Sequence, residues 1–328
     1  MTAPIDEYMA WRAEHHERMP VTDRAVLARA VYAATGEEVV AWERIVGGEV
    51  NEVLGVTLLN DARAIVRVSR QPVTRFETER WALATARDVG VPVPEMLHIE
   101  QGEDANGKYW ICVENRLPGC GLDEVVAPAD RERLAGMAGE IVAKLHTVPI
   151  NGFGWLRPDG TSGQPSWTHV MRSEQSNASL AETERWAATF GVPDGWVRAA
   201  SAELHRHDDL LASVESRLLH GDLSSNHVLT DGTSITGFID FEQAFAGDPS
   251  FEFVRWNYFR EDSPLEWLLA GYRRVADPGP DLELRIRLGR LRLHLAVCEF
   301  YGRMGHAVAL RTVLRRFAED ADWFGFAA

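Results

Sequence analysis

Cysteine is scarce: Cys112, Cys120 and Cys298 are all that the chain has. An odd count without metal-ligand spacing is poor material for a disulfide framework or a zinc knuckle, and reduced thiols in a cytoplasm are the simplest account. No apolar run approaches the ~20 residues that a membrane-spanning helix needs. Residues 1–18 are rich in charge and carry no apolar stretch of the secretory kind. Positive charge is short too. With 34 Lys and Arg against 49 Asp and Glu, the net charge of −15 argues against a nucleic-acid or anionic-membrane partner. Internal repeats and low-complexity tracts are also missing.

What is present suits a folded, soluble chain. Hydrophobic residues make up 45% of its 328 positions, enough to bury a full core in two domains or one large two-lobed unit. An acidic surface suits a cationic ligand, although plain solubility explains it equally well.

The spacing predicts a short helix over 5–18 and a second from an N-cap at Thr22 to about Thr35, stopped by Gly36. Strand-like segments follow at Val39–Trp42, Val53–Leu59, Ala64–Val68, Met96–Glu100 and Tyr109–Glu114, with one helix inserted at Arg75–Val89. A connector punctuated by proline and glycine runs from Asn115 to Asp123. Beyond it Leu134, Met137, Ile141 and Leu145 mark a helix over 128–148. Residues 151–168 read as a loop, and helices are expected at 169–190, 194–217, 264–275 and 282–317.

The chemistry concentrates in one stretch. Leu219-His220-Gly221-Asp222-Leu223-Ser224-Ser225-Asn226-His227-Val228-Leu229 is an apolar segment, a polar cluster and an apolar exit, followed by a turn at Asp231-Gly232 and by Phe238-Ile239-Asp240-Phe241. An exposed carboxylate, a ligand five residues later and a second carboxylate past a hairpin follow the order of a kinase catalytic loop and its metal-binding aspartate. Taken singly, His-Gly-Asp could be a turn and Ile-Asp-Phe a strand end. Together and in order they point to phosphoryl transfer.

At these residues the chain resembles the aminoglycoside phosphotransferase family, which also includes macrolide and small-metabolite kinases. The match runs through His220–Leu229, Ile239–Phe241 and Gly247-Asp248-Pro249, and Leu229–Arg260 is especially similar to hygromycin B phosphotransferases. The resemblance implies an α+β, bilobal, protein-kinase-like fold. Residues 1–114 would form a nucleotide-binding lobe with an antiparallel sheet and one helix, 115–123 a hinge, and 124–328 a mostly helical catalytic and substrate-binding lobe.

Carried over residue by residue, the resemblance makes Asp222 the base that orients or deprotonates the acceptor hydroxyl. His227 and Asp240 become ligands of Mg2+. Arg67 takes the place of the strand residue that binds phosphate, Glu79 that of its helix partner, and Val113 to Leu117 the backbone that meets the base. ATP or GTP would be the donor. An aminoglycoside is the expected acceptor, a small and cationic partner, with resistance as the role. A macrolide or other small hydroxylated metabolite is the alternative, and a catalytically silent binding protein a further one. Neither nucleic acid nor membrane is expected as a partner, and the protein would be a cytoplasmic monomer or homodimer.

The sequence departs from the family pattern in four places. The loop Gly47–Asn51, with Gly47 and Gly48, lacks G-x-G-x-x-G and reads as a phosphate loop or a plain hairpin turn. Arg67 stands for the commoner Lys and brings a planar fork instead of a point charge. His227 replaces Asn, although magnesium prefers oxygen donors. Glu252 replaces Asp and, with Asp248, is expected to brace the catalytic loop. For the acceptor, Glu242, Glu299 and Trp256 are the candidates, with Trp155 and Trp167 as further rings that either stack on sugars or pack in the core. His146 reads as a satisfied core histidine.

Overall fold

The computed structural model describes residues 13–14, 17–45, 50–172, 180–189, 191–256, 258–259, 263–304 and 307–326, apart from the side chains at 299, 303, 304, 307 and 308. The expected helix over 5–18, with Gly47 and Gly48, falls mainly or wholly outside them.

Helix α1 (Arg24–Thr35) starts one residue later than the Thr22 cap would place it. Asp23 is the cap, its carboxylate accepting from the Ala25 amide, and Gly36 closes the helix in the left-handed region. Strands β1 (Val39–Ile45), β2 (Glu52–Leu58), β3 (Arg63–Ser69), β4 (Met96–Asp104) and β5 (Gly107–Asn115) form one antiparallel sheet in the order β1-β2-β3-β5-β4. Helix α2 (Phe76–Asp88) is inserted between β3 and β4.

The sheet separates two apolar clusters. On one face Leu54, Val56, Val66, Val68, Ile111 and Val113 pack with Leu27, Ala30 and Val31 of α1. Strand alternation sends Cys112 to the other face, where Phe76, Leu83 and Ala86 of α2 join a core shared with the rest of the chain. Arg67 is paired directly with Cys112 in the β3–β5 register, so its side chain emerges on that second face.

After β5 the chain passes through β6 (Cys120–Gly121) into α3 (Pro128–Leu145). The expected loop over 151–168 contains a hairpin instead, β7 (Phe153–Leu156) with β8 (Ser162–Gln164). Its strands are too short for periodicity to reveal. Helices α4 (Trp167–Arg172), α5 (Leu180–Thr189), α6 (Trp196–Arg206) and α7 (Asp208–Ala212) follow. The last of these ends well before 217, because Arg217 begins β9 (Arg217–Leu219). Strands β10 (Val228–Thr230), β11 (Ile235–Phe238) and β12 (Phe245–Gly247) complete two small sheets, β11-β10-β6 and β8-β7-β12-β9.

Helices α8 (Ser250–Trp256) and α9 (Leu265–Tyr272) come next, and the single helix expected over 282–317 is two, α10 (Leu282–Met304) and α11 (Ala307–Phe324). Helices α3 and α9 cross so closely that a Cβ on Gly271 would lie 1.7 Å from the Gly136 carbonyl oxygen, which only glycine permits. Among the described residues no helix is long and apolar enough to cross a membrane.

Candidate functional site

Strand β9 delivers His220 to the loop that follows it. Leu219 and Leu223, both fully buried, anchor the two sides of the polar turn, so Asp222 between them is pushed outward with its side chain 39% exposed. Gly221 has φ +82°, and a Cβ there would sit 1.9 Å from the Gln243 carbonyl oxygen. The turn can therefore press against the segment after Asp240 only because residue 221 is glycine.

Histidine tautomers settle the geometry around Asp222. The Asp222 amide donates to His220 Nδ1 at 3.3 Å, so the proton of the neutral ring sits on Nε2, which donates to the Ile239 carbonyl at 2.8 Å. Burial holds His220 below its ordinary pKa and keeps it neutral. His227 Nδ1 lies 2.8 Å from the Asp222 carbonyl oxygen, which can only accept, so that nitrogen is the donor. In the neutral ring Nε2 then carries a lone pair, and it lies 3.6 Å from Asp240 Oδ2.

Asp240 adopts the left-handed conformation, φ 68°, which aspartate tolerates better than most residues. The Ile239 amide donates to the His227 carbonyl at 3.0 Å, tying the end of the β10–β11 hairpin to the loop. Strand pairing and this bond bring His227 and Asp240 together.

From β3 Arg67 reaches the same carboxylate, Nη1 to Asp240 Oδ1 at 3.8 Å. It also bonds Glu79 of α2 and lies 3.6 Å from Glu114 of β5. Three carboxylates thus share one buried guanidinium. Burial lowers the Arg67 pKa, but Glu114, Glu79 and Asp240 outweigh it and the guanidinium is held above its ordinary value. Burial pushes the Glu79 carboxyl up to about 8 despite the favourable charge of Arg67, and it raises Glu114 as well. The ion pair and the upward shift pull in opposite senses. The shift prevails because one cation shared with the half-exposed Asp240 cannot compensate the two buried carboxylates of Glu79 and Glu114.

Glu252 braces the loop, whereas Asp248, of which the same was expected, accepts from the Ser250 amide at the start of α8. Glu252, fully buried on α8, accepts from the His220 amide at 2.5 Å and the Gly221 amide at 3.1 Å. Burial works against its charge, yet hydrogen bonds and nearby His146 and His220 hold its carboxyl below the ordinary range. Asp248 pairs with Arg285 at 2.7 Å. His146 is a buried core residue, Nδ1 3.1 Å from the Tyr272 hydroxyl and Nε2 3.6 Å from Glu252.

The acceptor candidates do not converge. Trp256 is 1% exposed and belongs to the core, so of the two roles open to it, stacking on a sugar or packing in the core, it takes the second. Trp167 is likewise buried, whereas Trp155 is 39% exposed, with Arg75 over its ring at 4.5 Å. Glu299 lies on α10, its side chain outside the described residues. Glu242 faces the sheet side instead of the helical side, accepting from Asn51 Nδ2 at 2.8 Å. Val113 buries its side chain in the α1-side core and is paired on both flanks, with Val66 and His98. The Asn115 side chain ends β5 by accepting from the Glu95 amide.

From sequence alone no side-chain role near the site is evident for Arg75 and Arg255, nor for Glu114 and Asn51, which figure only within the 113–117 segment and the 47–51 loop. Arg75 donates to the Glu242 carbonyl at 2.7 Å and the Ala244 carbonyl at 3.3 Å. Glu114 shares a strand face with Cys112, two positions away, but that this face carries Arg67 follows only from the β3–β5 register.

A sequence profile described as "Phosphotransferase enzyme family" matches residues 41–284. Hygromycin-B 4-O-kinase of Escherichia coli is 27% identical over 195 residues, 56% of this chain and 53% of that one. The chain therefore spans about half the length of that curated relative. Among solved structures, aminoglycoside phosphotransferase APH(4)-Ia superposes with a TM-score of 0.72 at 19% identity, over 93% of this chain and 100% of that one. Macrolide 2′-phosphotransferase MphH from Brachybacterium faecium gives 0.61 at 20% identity, over 89% and 97%. The microcompartment-associated aminopropanol kinase gives 0.68 at 22%, over 92% and 97%. At these identities the structural likeness is one of fold.

Proposed function

The chain belongs to the phosphotransferase enzyme family, and we propose that it moves the γ-phosphoryl group of a nucleoside triphosphate onto a hydroxyl of an aminoglycoside. One observation carries the reading: one loop and one hairpin bring the His227 ring within 3.6 Å of the Asp240 carboxylate, opposite the buried Arg67, and the Asp222 carbonyl on the same loop bonds that ring.

Each side chain has a task that its chemistry suits. Asp222, the exposed carboxylate, orients the acceptor hydroxyl and takes its proton. Arg67 neutralises donor phosphates and Glu79 holds it in place. Among the described residues no cluster of three or more His, Cys, Asp or Glu could hold a metal alone. Mg2+ takes one or two protein ligands and completes its shell with phosphates and water. Asp240 would supply a carboxylate oxygen and His227 the lone pair of a neutral ring. When bound, the ion supplies charge neutralisation and alignment of the phosphates.

The aminoglycoside acceptor rests on the likeness to the hygromycin kinase and on the net charge of −15, which favours a polyamine. A macrolide or other small hydroxylated metabolite is the second reading, favoured by His227, the ring that replaces the family's commoner Asn. Nucleoside-diphosphate release, followed with ATP and with GTP over aminoglycosides, macrolides and amino alcohols, decides between them. Turnover confined to aminoglycosides supports the first reading, and turnover on macrolides alone the second. Tight nucleotide binding without turnover on any acceptor would leave a silent binding protein.

A further inference from the structure

We propose that Arg255 is the positioning residue for Asp222, selecting the one carboxylate orientation that meets the acceptor hydroxyl. The inference rests on the reading of Asp222 as the base.

Backbone contacts hold Asp222 on both sides: its amide donates to His220 and its carbonyl accepts from His227. The main chain is therefore set, but the side chain can still rotate. Among the described residues Arg255 is the cation within ion-pairing distance of that carboxylate, Nη1 to Oδ1 at 3.5 Å.

The placement of Arg255 is itself rigid. Arg255 lies three residues after Glu252 on α8, so both side chains leave the same helix face. Glu252 grips the amides of His220 and Gly221, and Arg255 faces the next residue of that loop. One helix face thus cradles His220-Gly221-Asp222, by the backbone through one residue and by the side chain through the other.

The helix cannot turn away. Phe253, Val254 and Trp256 are buried around Arg255, and Asp248 ties the start of the helix to Arg285. Arg255 Nε is buried and, among the described residues, has no hydrogen-bond partner, so packing aims the guanidinium. A planar fork fixed in this way gives up little freedom when it orients a carboxylate. Both side chains are partly exposed, at 21% and 39%, so the pair contributes little to stability and its worth lies in orientation.

The test is steady-state transfer by Arg255→Gln and Arg255→Lys, alone and in an Asp222→Asn background, with melting temperatures recorded. In Arg255→Gln, kcat is expected to fall about 30- to 100-fold, because a misaimed base loses its geometry. The nucleotide KM should stay within about twofold and the melting temperature near that of the native protein. Arg255→Lys should recover part of kcat, since it restores charge without the fork, and it carries the comparison if glutamine destabilises the fold. In the Asp222→Asn background Arg255→Gln should cost nothing further.

Native kcat in both Arg255 variants, a loss confined to nucleotide KM, or an undiminished loss in the Asp222→Asn background would overturn the proposal. Full transfer by Asp222→Asn alone would remove the base assignment and this inference with it. Inactive Asp222→Asn beside fully active Arg255 variants would remove only the inference.

Discussion

Arg67 of β3 and Asp240 beyond β11 face each other at 3.8 Å, guanidinium to carboxylate, although β3 and β11 belong to different sheets. The contact joins the residue proposed to bind phosphate to the residue proposed to bind metal. A nucleotide with its ion would enter between two groups that already attract one another.

That arrangement makes Asp240 the more sensitive partner for metal. Asp240→Ala is expected to weaken magnesium-dependent nucleotide binding by about 100-fold or more while leaving metal-free binding nearly unchanged. Titration calorimetry with and without Mg2+ measures both. An unaltered magnesium effect would remove Asp240 from the site.

His227 tests the choice of ion. Imidazole is a better donor to transition metals than to magnesium, so the native protein should reach half-maximal transfer at lower Mn2+ than Mg2+. In His227→Asn the ratio should narrow by about tenfold as an oxygen donor replaces the ring. Equal metal ratios in the two proteins would show that the ring does not touch the ion.

Glu79 predicts a pH effect on stability. Its carboxyl, raised from 4.5 to about 8, retains a proton in the folded chain that the unfolded chain has already lost. Its contribution is therefore full below about 4.5 and is lost as pH rises toward 8. Glu252 and Asp320 are held below the ordinary carboxylate range and act at lower pH. Burial keeps His220 and His294 below 6.5, so they act in the opposite sense below that value. The informative window is thus pH 6.5–8, where Glu79→Gln should flatten the fall in stability by about 1–2 kcal/mol, while Glu114 and Glu242, also raised by burial, continue to act in the same sense. Urea unfolding at several pH values checks this, and parallel curves would contradict it.

Gly221 tests the close approach beneath the loop. Gly221→Ala forces a Cβ against the Gln243 carbonyl and strains a backbone at φ +82°. We expect a loss of roughly 2 kcal/mol or more in denaturant stability, with transfer falling further than stability does. Gly232→Ala, with φ +90° but open space around it, is the control for backbone strain alone. Similar losses in the two would mean that the Gln243 contact is unimportant.

Much of this was legible in the sequence because it depends on near neighbours. The Gly36 stop, the period of α3 and the strand–helix–strand order follow from local patterns. So does the run from His220 to Asp240, since its loop and hairpin position their own side chains. Short elements were lost: the β7–β8 hairpin has too few residues to show alternation, and the break between α10 and α11 interrupts no apolar pattern.

Only tertiary packing decided which charges meet. The family resemblance implied that Arg67 pairs with Glu79, but the register of β5 on β3 added Glu114 and turned an ion pair into a crowded buried cluster. The same packing turned Glu242 toward Asn51, buried Trp256, and set Arg255 beside Asp222. Sequence periodicity reports which face of its own element a residue occupies. What that face meets depends on burial by distant segments, and the charge state of each group follows from it.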